Sequence, residues 1–246
     1  MLTVRRLTVE DFIRRFHDGK PVAFPRYHDG DWRAVLRIGG AMEHSFIGAM
    51  ADELAETIHR PHISDDYWYG ICPFISPKCH DLRNRVYDWL NDTAGSEATW
   101  VDSVVLQDAW QGLQFGPILR ELRKRKCLMI GPEFLQDAST DIFNPYKRIF
   151  VRRKDCWHDL ERVEAELLDA LDNDGVEVVS FSAASMTNIL IWRHWPKYRD
   201  RVFLLDLGSM WDICAGERTR GRFKGDWDNI IKINLERSNE EMACTD

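Results

Sequence analysis

The sequence lacks several features that would place the protein in a special class. It contains no C-x-x-C pair, no internal repeat and no low-complexity linker, which argues against a redox motif, a solenoid and an array of loosely joined domains. No apolar run reaches the roughly 18 residues of a membrane-spanning helix, and the first residues do not resemble a secretory signal. We therefore expect a cytoplasmic protein whose cysteines are reduced and mostly buried.

Excess positive charge is also absent. The chain has 33 Lys and Arg against 40 Asp and Glu, a formal net charge of −7, so non-specific binding of nucleic acid by the whole protein is not expected. Basic residues concentrate in "RELRKRK" (120–126) and "GERTRGRFKGDW" (216–227). The first is typical of an exposed helix end. The second fits either a solvated loop or a site for diphosphate, a lipid headgroup or a nucleic-acid backbone.

The remaining pattern is that of an ordinary globular protein, 44% hydrophobic and 30% charged. Continuous apolar segments such as "KCLMIG" and "VEVVSFSA" alternate with segments of helical spacing. This alternation predicts an α/β fold, a Rossmann-like doubly wound, mostly parallel sheet with helices on both faces. In "TWVDSVVLQDAW" the β-branched centre favours a strand. We expect one domain over residues 1–235 and a polar tail over 236–246.

Polar or small residues follow four of the predicted strands. These corners are residues 26–31, 131–133, 180–185 and 206–209. The carboxyl ends of parallel strands lie at one edge of a sheet, where ligands bind. The sequence therefore predicts that the four corners meet in one cleft.

The first corner, "PRYHDGDW", places Asp29 and Asp31 on either side of Gly30. Two carboxylates on a tight turn can bind Mg²⁺ or Mn²⁺, and Arg26 can add a contact to phosphate. The alternative is a helix N-cap, since an aspartate before "WRAVLRI" is favoured by the helix dipole.

Taken together, the corners resemble the GT-D type glycosyltransferases, a family first catalogued as a bacterial domain of unknown function. Its R-[FY]-G-D-G-E motif corresponds to "RYHDGD". Arg26, Tyr27, Asp29 and Gly30 match the motif, whereas Asp31 replaces its Glu and His28 its first Gly. "YGICPF", "SFSAASMTNIL" and "LLDLGSMWDICAGERTRGRF" are similar to later family segments. The resemblance spans roughly residues 20 to 222, and the family's Gly-Pro is missing from the turn that corresponds to "SFSAASMTNIL".

The resemblance implies a metal-dependent enzyme that moves a sugar, often glucose, from a UDP-sugar to a hydroxyl acceptor. It implies that Asp29 and Asp31 bind the Mn²⁺ or Mg²⁺ ion. The predicted donor site consists of Arg26, Gly30, Ser182 and Ser185 at strand ends, together with Tyr27, which matches the family motif, and Arg218, in the basic stretch after the last family segment. Transfer with inversion needs a base, for which Asp206 and Asp212 are the candidates.

Several alternatives stay open at this stage. The acceptor is either a saccharide or a hydroxymethylated base in phage-type DNA. A non-catalytic nucleotide-binding module would need the phosphate cradle but not the carboxylates, and a metal-dependent phosphohydrolase would need more metal ligands than one D-x-D. Neither the stereochemistry of transfer nor the oligomeric state can be read from the sequence.

Overall fold

A computed structural model describes residues 3–39, 44–72, 80–137, 142–217 and 225–240. Its helices are α1 (Val9–His17), α2 (Asp29–Val35), α3 (Gly48–His59), α4 (His80–Asn91), α5 (Val105–Gln111), α6 (Gly116–Arg123), α7 (Leu160–Asn173), α8 (Ala184–Tyr198) and α9 (Trp227–Asn239). Its strands are β1 (Val4–Arg5), β2 (Ala23–Phe24), β3 (Arg26–Tyr27), β4 (Tyr69–Ile71), β5 (Trp100–Asp102), β6 (Cys127–Pro132), β7 (Lys147–Val151), β8 (Val178–Phe181) and β9 (Phe203–Asp206). Short 3₁₀ helices span Ala94–Glu97, Glu133–Leu135, Cys156–Asp159 and Gly208–Ala215.

The strands form two sheets, in the orders β1-β5-β4-β3 and β2-β9-β8-β6-β7. Each strand pair in the described ranges is parallel. Parallel strands require crossover connections, and helices of the chain provide them. The predicted parallel α/β sheet is therefore confirmed, although it is divided in two.

Helices cover both faces of these sheets, as the sequence predicts. Along β9, Leu204 packs in one hydrophobic cluster, while its neighbours Phe203 and Leu205 pack in the other. The first cluster includes residues of α2, α3, α4, α7 and α8, and the second includes residues of α1, α5, α6 and α9. Because successive strand residues point to opposite faces, the two clusters are the two layers of a doubly wound fold.

The two sheets share one segment of chain, residues 22–27. Ala23 and Phe24 pair with β9, whereas Arg26 and Tyr27 pair with β4. Pro25 stands between them and has no N–H to donate to a ladder. The segment therefore continues from one sheet into the other, and this crossing point lies one residue before the R-Y-H-D-G-D motif.

The strand favoured in "VDSVVL" is wrong beyond Asp102, because Val105 and Leu106 begin α5 and Leu106 is buried. Helix α9 continues to Asn239 and Ser238 is buried, so the first residues of the predicted tail, 236–239, are helical, and the boundary of the tail stays a prediction. Among the described cysteines, Cys127 and Cys156 are buried and Cys72 and Cys214 partly so, and all four are free thiols.

No helix in the described ranges has the length and apolar character needed to cross a membrane.

Candidate active site

The strand-end corners meet at the carboxyl edge of the sheets. Ser185 Oγ donates to Asp31 Oδ1 at 2.5 Å, which joins the corner after β8 to the one after β3. Arg26 Nη2 donates to Asp206 Oδ1 at 3.1 Å and joins β3 to β9. Ser182 Oγ donates to the carbonyl of Gly208 at 2.8 Å. Residues 150 positions or more apart in sequence are thus brought into contact at one edge.

The Asp-Gly-Asp corner is the first turn of a helix and not an irregular loop. Helix α2 begins at Asp29, with His28 at the N-cap position. Asp31 Oδ2 accepts the backbone N–H of His28 at 2.8 Å, which satisfies one of the donors that a helix start leaves open. The N-cap is therefore His28 and neither aspartate, Asp31 takes part in the capping box from the third helical position, and Gly30 lies within a helical turn. Asp29 is exposed, whereas Asp31 is buried.

Asp31 has an unusual electrostatic environment. Burial raises the pKa of its carboxyl from the ordinary value to about 6, and the hydrogen bonds from Ser185 and His28 oppose this increase. The negative charges of Asp206 and Asp29 raise this pKa further. The negative charges of Asp29, Asp31 and Asp206 therefore exceed the single positive charge of Arg26 beside Asp206. A bound cation would favour the ionised form of Asp31.

Arg26 and Asp206 form a buried ion pair. Arg26 is 6% exposed and Asp206 7% exposed. Burial raises the pKa of Asp206, and the Arg26 guanidinium counteracts this. Arg26 Nε has no hydrogen-bond partner among the described residues. Because Nε is itself buried, a ligand could use this donor only after the Arg26 side chain moves.

Gly208 makes room for this ion pair. A Cβ built on Gly208 would lie 2.0 Å from Arg26 Nη2 and 3.2 Å from Asp206 Oδ1. The residue also has φ of +50°, which favours glycine. Two separate factors therefore favour glycine in the "DLG" sequence at the end of β9: the close approach of the ion pair and the positive φ.

The other predicted donor-site residues have different surroundings. Tyr27 is fully buried among aromatic rings and its hydroxyl lies 2.6 Å from Thr57 Oγ1. It has no surface in this conformation for contact with a donor, so its observed role is in packing. Asp212 is buried within the 3₁₀ helix after β9. Arg218 lies outside the described residues.

The charges of Asp29 and Asp31 suit a divalent cation, but the two carboxylates are not arranged to bind one ion together. Residues i and i+2 of a helix do not face each other, and Asp31 already accepts two hydrogen bonds. Within the described ranges, no group of three or more His, Cys, Asp and Glu side chains could hold a metal ion. Mg²⁺ needs only one or two carboxylates when substrate phosphates and water supply the rest. Asp29, with the charge of Asp31 behind it, meets that smaller requirement.

The basic stretch 120–126 is largely used within the protein. Arg120 and Arg123 donate to groups at the end of α9, at Arg237, Ser238 and Asn239. Arg125 binds Glu121 and the carbonyl of Phe16. Guanidinium groups that stabilise a helix terminus are less available to a polyanion.

Comparison with known proteins identifies the fold. No protein-family model matches the sequence, and no curated protein matches it. Among solved structures, a glycosyltransferase (domain of unknown function 1792) from Streptococcus sanguinis superposes with a TM-score of 0.67 at 10% identity, over 95% of this chain and 94% of that one. A second structure, of a domain of unknown function 1792 with a distinct glycosyltransferase fold, superposes with a TM-score of 0.61 at 11% identity, over 96% and 90%. The chain has a glycosyltransferase fold.

This glycosyltransferase fold agrees with the expectation from the sequence motifs. One contributor to the site has no motif to mark it: Asn188 in α8 binds the backbone of Arg26 through its side-chain amide. The only signal in the sequence is an amide within the apolar run "MTNILI". A buried amide needs partners, but the sequence does not say which.

The pKa of Asp31 leads to a prediction about stability. Because this pKa is higher in the folded state than in the unfolded chain, Asp31 favours folding at low pH, and that contribution is lost as the pH rises through about 6. In metal-free buffer, we expect the free energy of unfolding of the wild type, relative to Asp31→Asn, to rise by about 1 kcal/mol between pH 7 and pH 5. Urea unfolding at several pH values measures this difference. Parallel pH profiles for the two proteins would contradict it.

Proposed function

We propose that the protein is a metal-dependent glycosyltransferase that moves a sugar, glucose in the first instance, from a UDP-sugar to a hydroxyl acceptor. The main support is the meeting of Asp31, Asp206, Ser185 and Arg26 at the carboxyl edge of parallel strands. In open α/β sheets this edge is where ligands bind. The glycosyltransferase fold of the chain supports the same proposal.

In this proposal each side chain has a distinct task. Asp29 would bind Mn²⁺ or Mg²⁺ directly, while the negative charge of buried Asp31 behind it would attract the ion, and the ion would neutralise the charge that develops on the departing diphosphate. Ser182 and Ser185, where β8 leads into α8, orient the donor together with Gly30 and Arg218. Arg26 binds a diphosphate oxygen with its remaining donors, and Tyr27 supports the corner through its packing.

Asp206 is the proposed base for transfer with inversion. Its raised pKa brings its basicity closer to neutral pH, while Arg26 stabilises the ionised form. Proton acceptance from the acceptor hydroxyl requires access to Asp206, which contact between Arg26 and the diphosphate would provide. Asp212 is the second candidate, because it lies in the short 3₁₀ helix that follows the same strand, β9.

The decisive experiment is nucleotide release from a panel of UDP-, GDP- and TDP-sugars in the presence of Mn²⁺. We expect sugar-dependent UDP release that EDTA abolishes and Asp206→Asn lowers more than Asp212→Asn. Asp29→Asn should raise the Mn²⁺ concentration needed for half-maximal rate. Nucleotide binding without turnover would instead indicate a non-catalytic module, and release of inorganic phosphate a phosphohydrolase.

A saccharide is the preferred acceptor over DNA. Arg120, Arg123 and Arg125 use donors in contacts within the protein, which leaves fewer donors for a phosphate backbone, and the net charge of the chain is −7. Parallel assays with free sugars and with duplex DNA containing hydroxymethylated bases compare the two acceptor classes. Transfer to DNA that weakens steeply with salt would overturn this preference.

A further inference from the structure

Asn188 makes an unusual contact between a helix side chain and a strand backbone. It lies in the second turn of α8 and has no exposed surface. Its Oδ1 accepts the N–H of Arg26 at 3.0 Å, and its Nδ2 donates to the carbonyl of Arg26 at 3.0 Å. One amide thus satisfies both backbone polar groups of a single residue 162 positions away.

The backbone N–H and C=O of Arg26 lie on the side of segment 22–27 along which β9 pairs. The carbonyl of Val22 accepts a hydrogen bond from β9, whereas that of Pro25 accepts one from β4. Backbone groups alternate in direction along a strand, so those of Arg26 point toward the β9 side. The register with β9 ends at Phe24. Asn188 therefore occupies the position of the missing ladder partner, where the sheets separate.

A second contact from the same helix fixes the other end of the motif. Ser185 precedes Asn188 by three residues, a spacing that places both on one side of a helix. Ser185 binds the side chain of Asp31, and Asn188 binds the backbone of Arg26. Helix α8 thus holds residues 26–31 at their first and last positions.

We propose that Asn188 is a positioning residue for the candidate active site. By holding the backbone of Arg26, it directs the guanidinium to Asp206 and sets the start of the turn that carries Asp29 and Asp31. This inference rests on the proposed function for its effect on turnover, but its effect on the geometry of residues 26–31 does not depend on that function.

Asn234 provides a matched control. It also has no exposed surface, and its amide also binds backbone groups, the N–H of Phe115 at 2.9 Å and the carbonyl of Trp110 at 3.1 Å. It lies on α9, which packs on α5 and α6. We expect Asn188→Ala and Asn234→Ala to lower the thermal midpoint by similar amounts, because each leaves buried backbone groups unpaired.

The two variants should differ at the site. Asn188→Ala should lower kcat for UDP release roughly 100-fold, the order of loss that follows a displacement of about 1 Å, whereas Asn234→Ala should leave kcat unchanged. Amide hydrogen exchange at His28, whose N–H binds Asp31, should become faster only in Asn188→Ala.

The outcomes separate this inference from the proposed function. If wild-type protein turns over no donor, the proposed function fails, and exchange at His28 still decides the role of Asn188. If both alanine variants leave kcat and His28 exchange unchanged, or change both to the same extent, Asn188 has no specific positioning role.

Discussion

Replacing Asp31 with Asn should reduce sugar-dependent UDP release roughly 100- to 1,000-fold, the range expected when one preorganised charge is removed from a transition state. The substitution keeps the size of the side chain and an oxygen that can accept from His28. It removes the negative charge that, in the proposed mechanism, holds the metal ion and through it the diphosphate. Steady-state kinetics at saturating Mn²⁺ measures the change.

Asp11 offers a control with the same local geometry. Its Oδ2 accepts the backbone N–H of Thr8 at 2.9 Å at the start of α1, as Asp31 does for His28 at the start of α2. Helix α1 follows β1, which is three strands from β3 in the sheet order. Asp11→Asn should cost at most about 1 kcal/mol of stability through the loss of a negative charge in the first turn of α1 and leave kcat unchanged. Equal losses of activity in both variants would show that helix capping, rather than charge at the site, explains the effect of Asp31.

Removing Arg26 should have the largest effect on stability. Arg26→Met leaves Asp206 buried without its cation, and we expect the free energy of unfolding at pH 7 to fall by about 3–5 kcal/mol. Asp206→Leu leaves the guanidinium unpaired and should cost a similar amount. The double variant should lose clearly less than the sum of the two, because it leaves no unpaired buried charge. Urea unfolding of the four proteins gives this coupling energy.

An exposed ion pair provides the comparison. Arg60 Nε lies 2.8 Å from Glu56 Oε1, and the Arg60 side chain is 78% exposed. Arg60→Met should change stability by less than about 1 kcal/mol, because solvent screens this pair. Additive losses in the Arg26 and Asp206 variants would contradict the view that the two residues act as one buried unit. UDP release should be lost in the double variant even where its stability recovers.

The sequence predicts the architecture because the signals for it are local and repeated. Buried apolar strands alternating with amphipathic helices indicate parallel strands, and parallel strands bring their carboxyl ends to one edge. The contacts of Asp31 with Ser185 and of Arg26 with Asp206 are direct consequences. In "VDSVVL" the same kind of reasoning misjudges the end of the strand, because burial of Leu106 on a helix outweighs β-branched propensity.

Finer features of the site depend on information that is not local. The division of the sheet at Pro25 depends on which strands pair with the two halves of segment 22–27. The sequence "PVAFPRY" does not show whether both halves pair with the same sheet or with different ones. Asn188 meets Arg26 only when α8 packs against β3, and no spacing rule connects the two positions. The direction of Asp31 is set by a helix whose N-cap is His28 rather than an aspartate, so of the two carboxylates expected to bind one ion together, Asp29 is exposed and Asp31 is buried.

The shared segment 22–27 also sets an order of events during synthesis on the ribosome. One of its partners is β9, which follows much later in the sequence, and Arg26 and Asp206 are 180 residues apart. The nascent chain must therefore keep this apolar segment unpaired on one side until β9 has emerged. Contacts of such long sequence separation slow folding and prolong exposure of unpaired strands. We expect chains truncated before β9 to aggregate or to bind chaperones, and the ion pair at the site to be among the last contacts formed.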